Sequence, residues 1–392
     1  MPIKGKGTKD NPWILETPPG TSEFKAYDLF MENRSKRFVF RTFLDRDIFY
    51  DRENAKVIPA SGHSEIDDKD VFNSPTFSSI APLKVYLDPS YRCNLSCRHC
   101  MTSSSPYVDT SVEIPLDRVF ELVREVAFSG AMELSIGGGE PLLYPSIFEV
   151  LSSARELGLN TVVTTNGTLV TPEIADKLRE LNLYEVRVSF EGSRPIHDSV
   201  RGQGCYKQAL NAVTILTERN LRVLGRITLT SKSDQGLSNL YRDLSSHGVR
   251  EMKVSVAKDA GRASQNRDLL GYPTDLETAG KLIDMGKKYD MDVKLAYDDF
   301  PLLWEEARAR KPRSGKCNNC GAGLETVYVS PAGKVCPCSS MTNYPFGDLR
   351  NASFMAILKS EVATNYRRLA LAHNDASQGR HLCKYFASLG KA

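Results

Sequence analysis

Cys93, Cys97 and Cys100 stand in a C-x3-C-x2-C spacing, in the run Cys93-Asn94-Leu95-Ser96-Cys97-Arg98-His99-Cys100. Three thiolates can hold three irons of a [4Fe–4S] cube and leave the fourth iron open for a ligand. An open iron is a place for chemistry, whereas four protein thiolates close a cluster. Zinc is the plainer reading, because Cys-x2-Cys suits a tetrahedral ion. Zinc needs a fourth ligand, and His99, lying between two of the cysteines, is poorly placed to supply it.

The elements that must position this triad are legible as alternating β and α patterns. The triad follows the apolar stretch from Leu83 to Leu87. Strands are expected at Val85–Asp88, Met132–Ile136, Thr161–Thr165, Val186–Phe190, Val223–Leu229, Met252–Val256 and Val293–Ala296, with helical patterns between them. Val119, Leu122, Val123 and Val126 mark the buried face of the first helix. Ile147, Val150, Leu151 and Leu157 mark that of the second, which stops before Gly158. Thr171-Pro172-Glu173 opens the third, as N-cap, first-turn proline and first-turn acid. Repeated β-then-α units imply a parallel sheet with right-handed crossovers and chemistry at the strand ends.

The chain resembles the radical S-adenosylmethionine (radical SAM) superfamily, and its subgroup with a SPASM or Twitch extension, over about residues 83–392. The triad is the superfamily's signature. Ser135-Ile136-Gly137-Gly138-Gly139-Glu140-Pro141 is similar to its GGE segment, and Thr164-Thr165-Asn166-Gly167 to its ribose-side segment. Ser189-Phe190-Glu191-Gly192 and His197-Asp198-Ser199-Val200-Arg201-Gly202 resemble a block of the extended subgroup. The resemblance implies an α/β fold: a partial (β/α)6 TIM-like barrel at 83–300. An N-terminal β-containing extension at 1–82 precedes it, and a Twitch/SPASM-like iron–sulfur domain at 301–392 follows it. It also implies that Cys93, Cys97 and Cys100 hold a [4Fe–4S] cluster whose free iron chelates S-adenosyl-L-methionine. Gly138 and Gly139 then let backbone approach the cofactor, and Glu140 helps hold its amino group. Thr165 and Asn166 face its ribose, and Ser189 and Arg201 its carboxylate. Each segment has a plainer reading: turns at Gly137–Pro141 and Asn166-Gly167, and a structural role for Arg201.

A second cysteine group begins at Cys317-Asn318-Asn319-Cys320 and continues to Val335-Cys336-Pro337-Cys338. Apolar alternation around Pro331-Ala332-Gly333 predicts a β-hairpin that brings Cys320 and Cys338 together. The subgroup resemblance adds Cys383, so that Cys317, Cys320, Cys338 and Cys383 close one auxiliary [4Fe–4S] cluster, with Cys336 as an alternative ligand. Four thiolates also satisfy zinc. Phe386 stands where a C-x2-C partner to Cys383 would be, and no later cysteine follows, which argues for a single auxiliary cluster. Cys205, after Gly204, is either a hydrogen-atom donor to a substrate radical or a small buried hydrophobe.

Net charge +3 gives no reason to expect nucleic acid as a partner. No run approaches the roughly 18 apolar residues of a membrane helix. The N-terminus has no signal-peptide core, so the cytoplasm is the expected compartment, where clustered cysteines read as metal ligands. The resemblance implies reductive cleavage of S-adenosylmethionine by a low-potential donor such as flavodoxin or ferredoxin. The resulting radical modifies a ribosomally made peptide by crosslinking, oxidation or epimerisation. A second reading is a dehydrogenase or epimerase of a sugar or aminocyclitol. A third is a non-catalytic zinc or iron–sulfur protein. Residues 1–82 are either a peptide-binding element, since sheet edges accept peptide strands, or packing material.

Overall fold

The computed structural model describes residues 36–43, 46–54, 56–60, 71–73, 80–296, 299–300 and 321–376. Four N-terminal strands, β1 (Phe38–Phe43), β2 (Arg46–Asp51), β3 (Lys56–Pro59) and β4 (Val71–Asn73), form a small sheet in the order β3-β2-β1-β4.

The main sheet starts with β5 (Lys84–Leu87), β6 (Glu133–Ile136), β7 (Asn160–Thr165) and β8 (Glu185–Phe190). It continues through β9 (Val223–Leu229), β10 (Glu251–Val256) and β11 (Asp292–Leu295). All neighbours in this series pair in parallel. Helices cross between successive strands: α1 (Leu116–Ser129), α2 (Ile147–Glu156), α3 (Pro172–Glu180), α4 (Arg194–Arg201), α5 (Cys205–Thr217), α6 (Leu237–Ser246) and α7 (Leu276–Lys288). Val119, Leu122, Val123 and Val126 are buried on α1, as their spacing requires. Thr171 caps α3 by accepting the Ile174 amide, with Pro172 in the first turn. Each such fully buried Val or Leu contributes about 1.5–3 kcal/mol relative to exposure.

The sheet does not stop at β5. β12 (Thr326–Val329) pairs with β5 in parallel, and β13 (Lys334–Cys336) and β14 (Gly347–Asp348) continue it antiparallel. The hairpin expected at Pro331–Gly333 is thus present, and Gly333 takes the positive φ of 75° that its turn needs. Helices α8 (Phe354–Leu358) and α9 (Glu361–Ala376) follow. One apolar cluster runs from Val39 and Tyr50 through the barrel to Phe354 and Tyr366.

The N-terminal sheet covers the barrel's lower end, where β6 and β7 begin. Fully buried Tyr50 packs there. Arg41 donates to the carbonyls of Gly130 and Ala81, and Asn160 donates to the Arg52 carbonyl at 2.7 Å. Chemistry is left to the opposite end. No helix among the described residues is long and apolar enough to cross a membrane.

Candidate active site

The cysteine triad lies in the loop that leaves the upper end of β5. Backbone bonds stitch this loop to its neighbours. Gly139 N donates to Ser90 O and Glu140 N to Arg92 O, both at 2.9 Å, and Arg98 N reaches Val200 O at 2.9 Å. A Cβ on Gly138 would collide with the Ser90 carbonyl, and one on Gly139 with that of Arg92. The room left by these glycines therefore admits the cysteine loop itself. Arg262, after β10, clamps the loop from the other side. Its guanidinium donates to the carbonyls of Cys97 at 2.9 Å, Ser103 at 2.8 Å and Ser104.

The three thiols are free, and their charges act on one another. Burial pushes the Cys97 thiol up to about 12, and Cys93 is raised for the same reason. Among the described residues, no three His, Cys, Asp or Glu side chains converge on a single-ion site. Each cysteine of a cube binds a different iron, so its thiolates spread wider than those around one zinc. His99 Nδ1, buried in the same loop, has no hydrogen-bond partner among the described residues. Three thiols suit three irons of a cluster, whereas tetrahedral zinc needs a fourth ligand that the loop's His99, its Nε2 3.1 Å from Glu191 Oε1, does not offer.

Glu140 organises the next two strand ends. It is 2% exposed, and its carboxylate accepts from Thr165 Oγ1 at 2.7 Å, Asn166 N at 2.8 Å and Leu142 N at 3.2 Å. Burial raises its carboxyl despite these bonds. Asn166 Nδ2 reaches Asn94 Oδ1 at 2.9 Å and Cys93 Sγ at 3.8 Å. Glu140, Thr165 and Asn166 thus form one network that ends on a triad sulfur.

A second buried carboxylate is not singled out by sequence reasoning. Glu191, just past β8, is fully buried. Its Oε2 lies 2.6 Å from Arg201 Nε and 3.2 Å from His197 Nδ1, and its Oε1 lies 3.1 Å from His99 Nε2. Burial alone would raise the Glu191 carboxyl, but Arg201, His197 and His99 outweigh it and hold it well below the usual range. Burial lowers the His197 imidazole to about 4, against the pull of Glu191. Arg201 is committed to Glu191 while remaining close enough to feel the Cys97 and Cys93 charges. Ser189 is buried two residues before Glu191. Cys205 opens α5, buried, its Sγ 3.8 Å from the Arg201 carbonyl. The acid after a strand end, followed by a histidine and an arginine, was the available signal for this cluster.

A third network crosses from barrel to hairpin. Tyr328 on β12 donates to Asp88 Oδ2 at 2.7 Å, and its hydroxyl also lies 2.7 Å from that of Tyr91. Burial pushes the Asp88 carboxyl up to about 7, against the Tyr328 bond that favours its charged form. The unfolded chain releases this proton in the ordinary carboxylate range, whereas the folded chain keeps it. Stability therefore drops as pH rises from that range to about 7. Asp88→Asn is expected to remove this drop, on the order of a few kcal/mol, in denaturant melts at about pH 5 and pH 8. Equal pH slopes in both proteins would contradict the assignment.

Of the second cysteine group, Cys336 is fully buried and Cys338 partly exposed, close enough for their charges to interact. Cys317, Cys320 and Cys383 lie outside the described residues.

Residues 87–244 match the model of the radical SAM superfamily, and residues 317–384 that of an iron–sulfur cluster-binding domain, SPASM. The chain is 33% identical to pre-heme d1 synthase of Dinoroseobacter shibae, over 67% of this chain and 70% of that protein. It is 26% identical to the antilisterial bacteriocin subtilosin biosynthesis protein AlbA of Bacillus subtilis, over 72% of this chain and 60% of AlbA. In fold it is similar to Streptococcus suis SuiB bound to precursor peptide SuiA. That likeness has a TM-score of 0.65 at 14% identity, over 85% of this chain and 90% of SuiB. The chain belongs to the radical SAM superfamily, whose enzymes bind a [4Fe–4S] cluster and S-adenosylmethionine, and it carries a SPASM iron–sulfur domain behind its barrel.

Proposed function

We propose that this enzyme modifies a ribosomally made peptide by crosslinking, oxidation or epimerisation. The observation that carries the reading is the likeness to AlbA and, in fold, to SuiB bound to precursor peptide SuiA, while the pairing of β12 with β5 joins the auxiliary-cysteine hairpin to the strand that feeds the triad. The relative AlbA, a bacteriocin biosynthesis protein, supports a peptide as substrate. When bound, the triad's cluster supplies the electron that cleaves S-adenosylmethionine to a hydrogen-abstracting 5′-deoxyadenosyl radical, fed by a low-potential donor such as flavodoxin or ferredoxin.

The chain's own residues seat the cofactor and exclude water. Cys93, Cys97 and Cys100 hold the cluster. Gly138, Gly139 and Glu140 shape the floor, Thr165 and Asn166 line the ribose side, and Ser189 and Arg201 face the carboxylate. Because Glu140 and Arg201 already have internal partners, they act mainly by fixing the backbone around the site. Cys317, Cys320, Cys338 and Cys383 close the auxiliary cluster, with Cys336 the alternative. Cys205→Ala is expected to spare cofactor cleavage; loss of product alone would make Cys205 the hydrogen donor.

The test is anaerobic turnover with S-adenosylmethionine, a reductant and candidate precursor peptides, read by mass spectrometry. The expected result is a peptide that loses two hydrogens or gains solvent deuterium. The 33% identity to pre-heme d1 synthase favours a tetrapyrrole as the second reading. Turnover of a carboxylated tetrapyrrole, with every peptide unchanged, would select it.

A further inference from the structure

The inside of the barrel carries charge that the cofactor site does not use. Tyr86 on β5 and Lys253 on β10 act on one another electrostatically, although β6 to β9 lie between them in the sheet. Strands so far apart in a curved sheet meet only across its interior, so both side chains point inward. Arg226 shares their level: Ser189, Arg226 and Lys253 are direct register partners on β8, β9 and β10. Side chains two apart on a strand share a face, so Arg187 lies on the same side as Ser189.

The lower part of this interior is close to neutral. Lys84 Nζ lies 2.8 Å from Glu133, and Arg187 lies 2.5 Å from Glu185 and 3.9 Å from Glu133. Both carboxylates are therefore taken from below. One level up, Arg226 donates to Ser255 Oγ at 2.9 Å. Lys253 has no carboxylate partner among the described residues. Tyr86 favours the charge on Lys253, but burial and the repulsion of Arg226, Arg187 and Lys84 outweigh it and lower the amine. The Tyr86 phenol is lowered in turn, chiefly by Lys253. An unpaired cation in a partly buried, cation-rich interior is costly unless an anion enters.

We propose that Lys253, Arg226 and Tyr86 form a carboxylate seat inside the barrel that anchors an acidic side chain of the substrate peptide. Arg226 offers a planar fork, Lys253 a point charge and Tyr86 a hydroxyl donor, which together suit a carboxylate. The seat lies in register with Ser189, so an acid held there places its neighbouring residues at the cofactor end of the strands. The choice of a peptide as occupant rests on the function proposed above; the seat itself does not.

The test labels the full-length, anaerobically reconstituted protein with N-hydroxysuccinimide acetate and quantifies acetylation at Lys253 by mass spectrometry. Glutarate is compared with glutaramide at matched ionic strength. Glutarate is expected to slow acetylation of Lys253 about tenfold, as a charge-assisted pair would, while exposed Lys287 reacts unchanged. Arg226→Gln is expected to remove the protection, and Lys253→Arg to retain peptide binding with an unchanged melting curve. Equal labelling in glutarate and glutaramide overturns the seat. Protection by glutarate with no peptide turned over keeps the seat and removes the peptide reading. Once a modified peptide is in hand, changing its anchoring Asp or Glu to the amide is expected to raise KM about tenfold and leave kcat nearly unchanged. A KM insensitive to every acidic residue overturns the assignment of the seat to the peptide.

Discussion

Glu191→Ala is expected to cost about 3–5 kcal/mol of stability, because it leaves a buried guanidinium without its counter-charge. Glu191 is fully enclosed and is the shared partner of Arg201, His197 and His99. His99 belongs to the cysteine loop, whereas His197 and Arg201 belong to α4. The single carboxylate therefore ties the loop to the barrel wall as well as neutralising Arg201. Urea melts followed by far-UV circular dichroism, under anaerobic conditions, measure the loss. Removing Arg201 as well is expected to cost less than the sum of the two single changes, since the pair is coupled. A cost for Glu191→Ala below about 1 kcal/mol would mean that the cluster of charges is solvated and not structural.

Cys97→Ser is expected to reduce 5′-deoxyadenosine formation to background while leaving the fold intact. The triad lies in a loop held by backbone bonds and by Arg262, none of which uses the Cys97 sulfur. Iron content is expected to fall from about eight per chain to about four, because the auxiliary cluster keeps its own ligands. Liquid chromatography of the cofactor products and an iron assay read the two effects separately. A serine variant that retains all its iron and most of its turnover would remove Cys97 from the ligand set.

The strands were legible to within a residue or so, because buried parallel strands read as short apolar runs between turn signals. The Thr171-Pro172 start of α3 and the turn at Gly333 were legible for the same local reasons. The triad and the Gly138-Gly139-Glu140 segment were legible because their chemistry depends on spacing within a few residues. Features set by distance in space were not. Tyr328 reaches Asp88 only because β12 docks beside β5, an order that no local pattern encodes. Arg262 reads as an ordinary loop arginine until β10 places it against the cysteine loop. Alternation shows that Tyr86 and Lys253 each have a face, but only the curvature of the sheet makes those faces meet. The glycines carry a related lesson: Gly138 and Gly139 are required by the approach of Ser90 and Arg92, a contact within the chain.

The central claim is an open iron at Cys93, Cys97 and Cys100 that takes S-adenosylmethionine. Electron paramagnetic resonance of the reduced, reconstituted protein, recorded with and without S-adenosylmethionine, tests it most directly. The predicted result is a cluster signal whose g-values shift when the cofactor is added, with that component missing from Cys97→Ser. Identical spectra with and without the cofactor, in a protein with its full iron content, would contradict it.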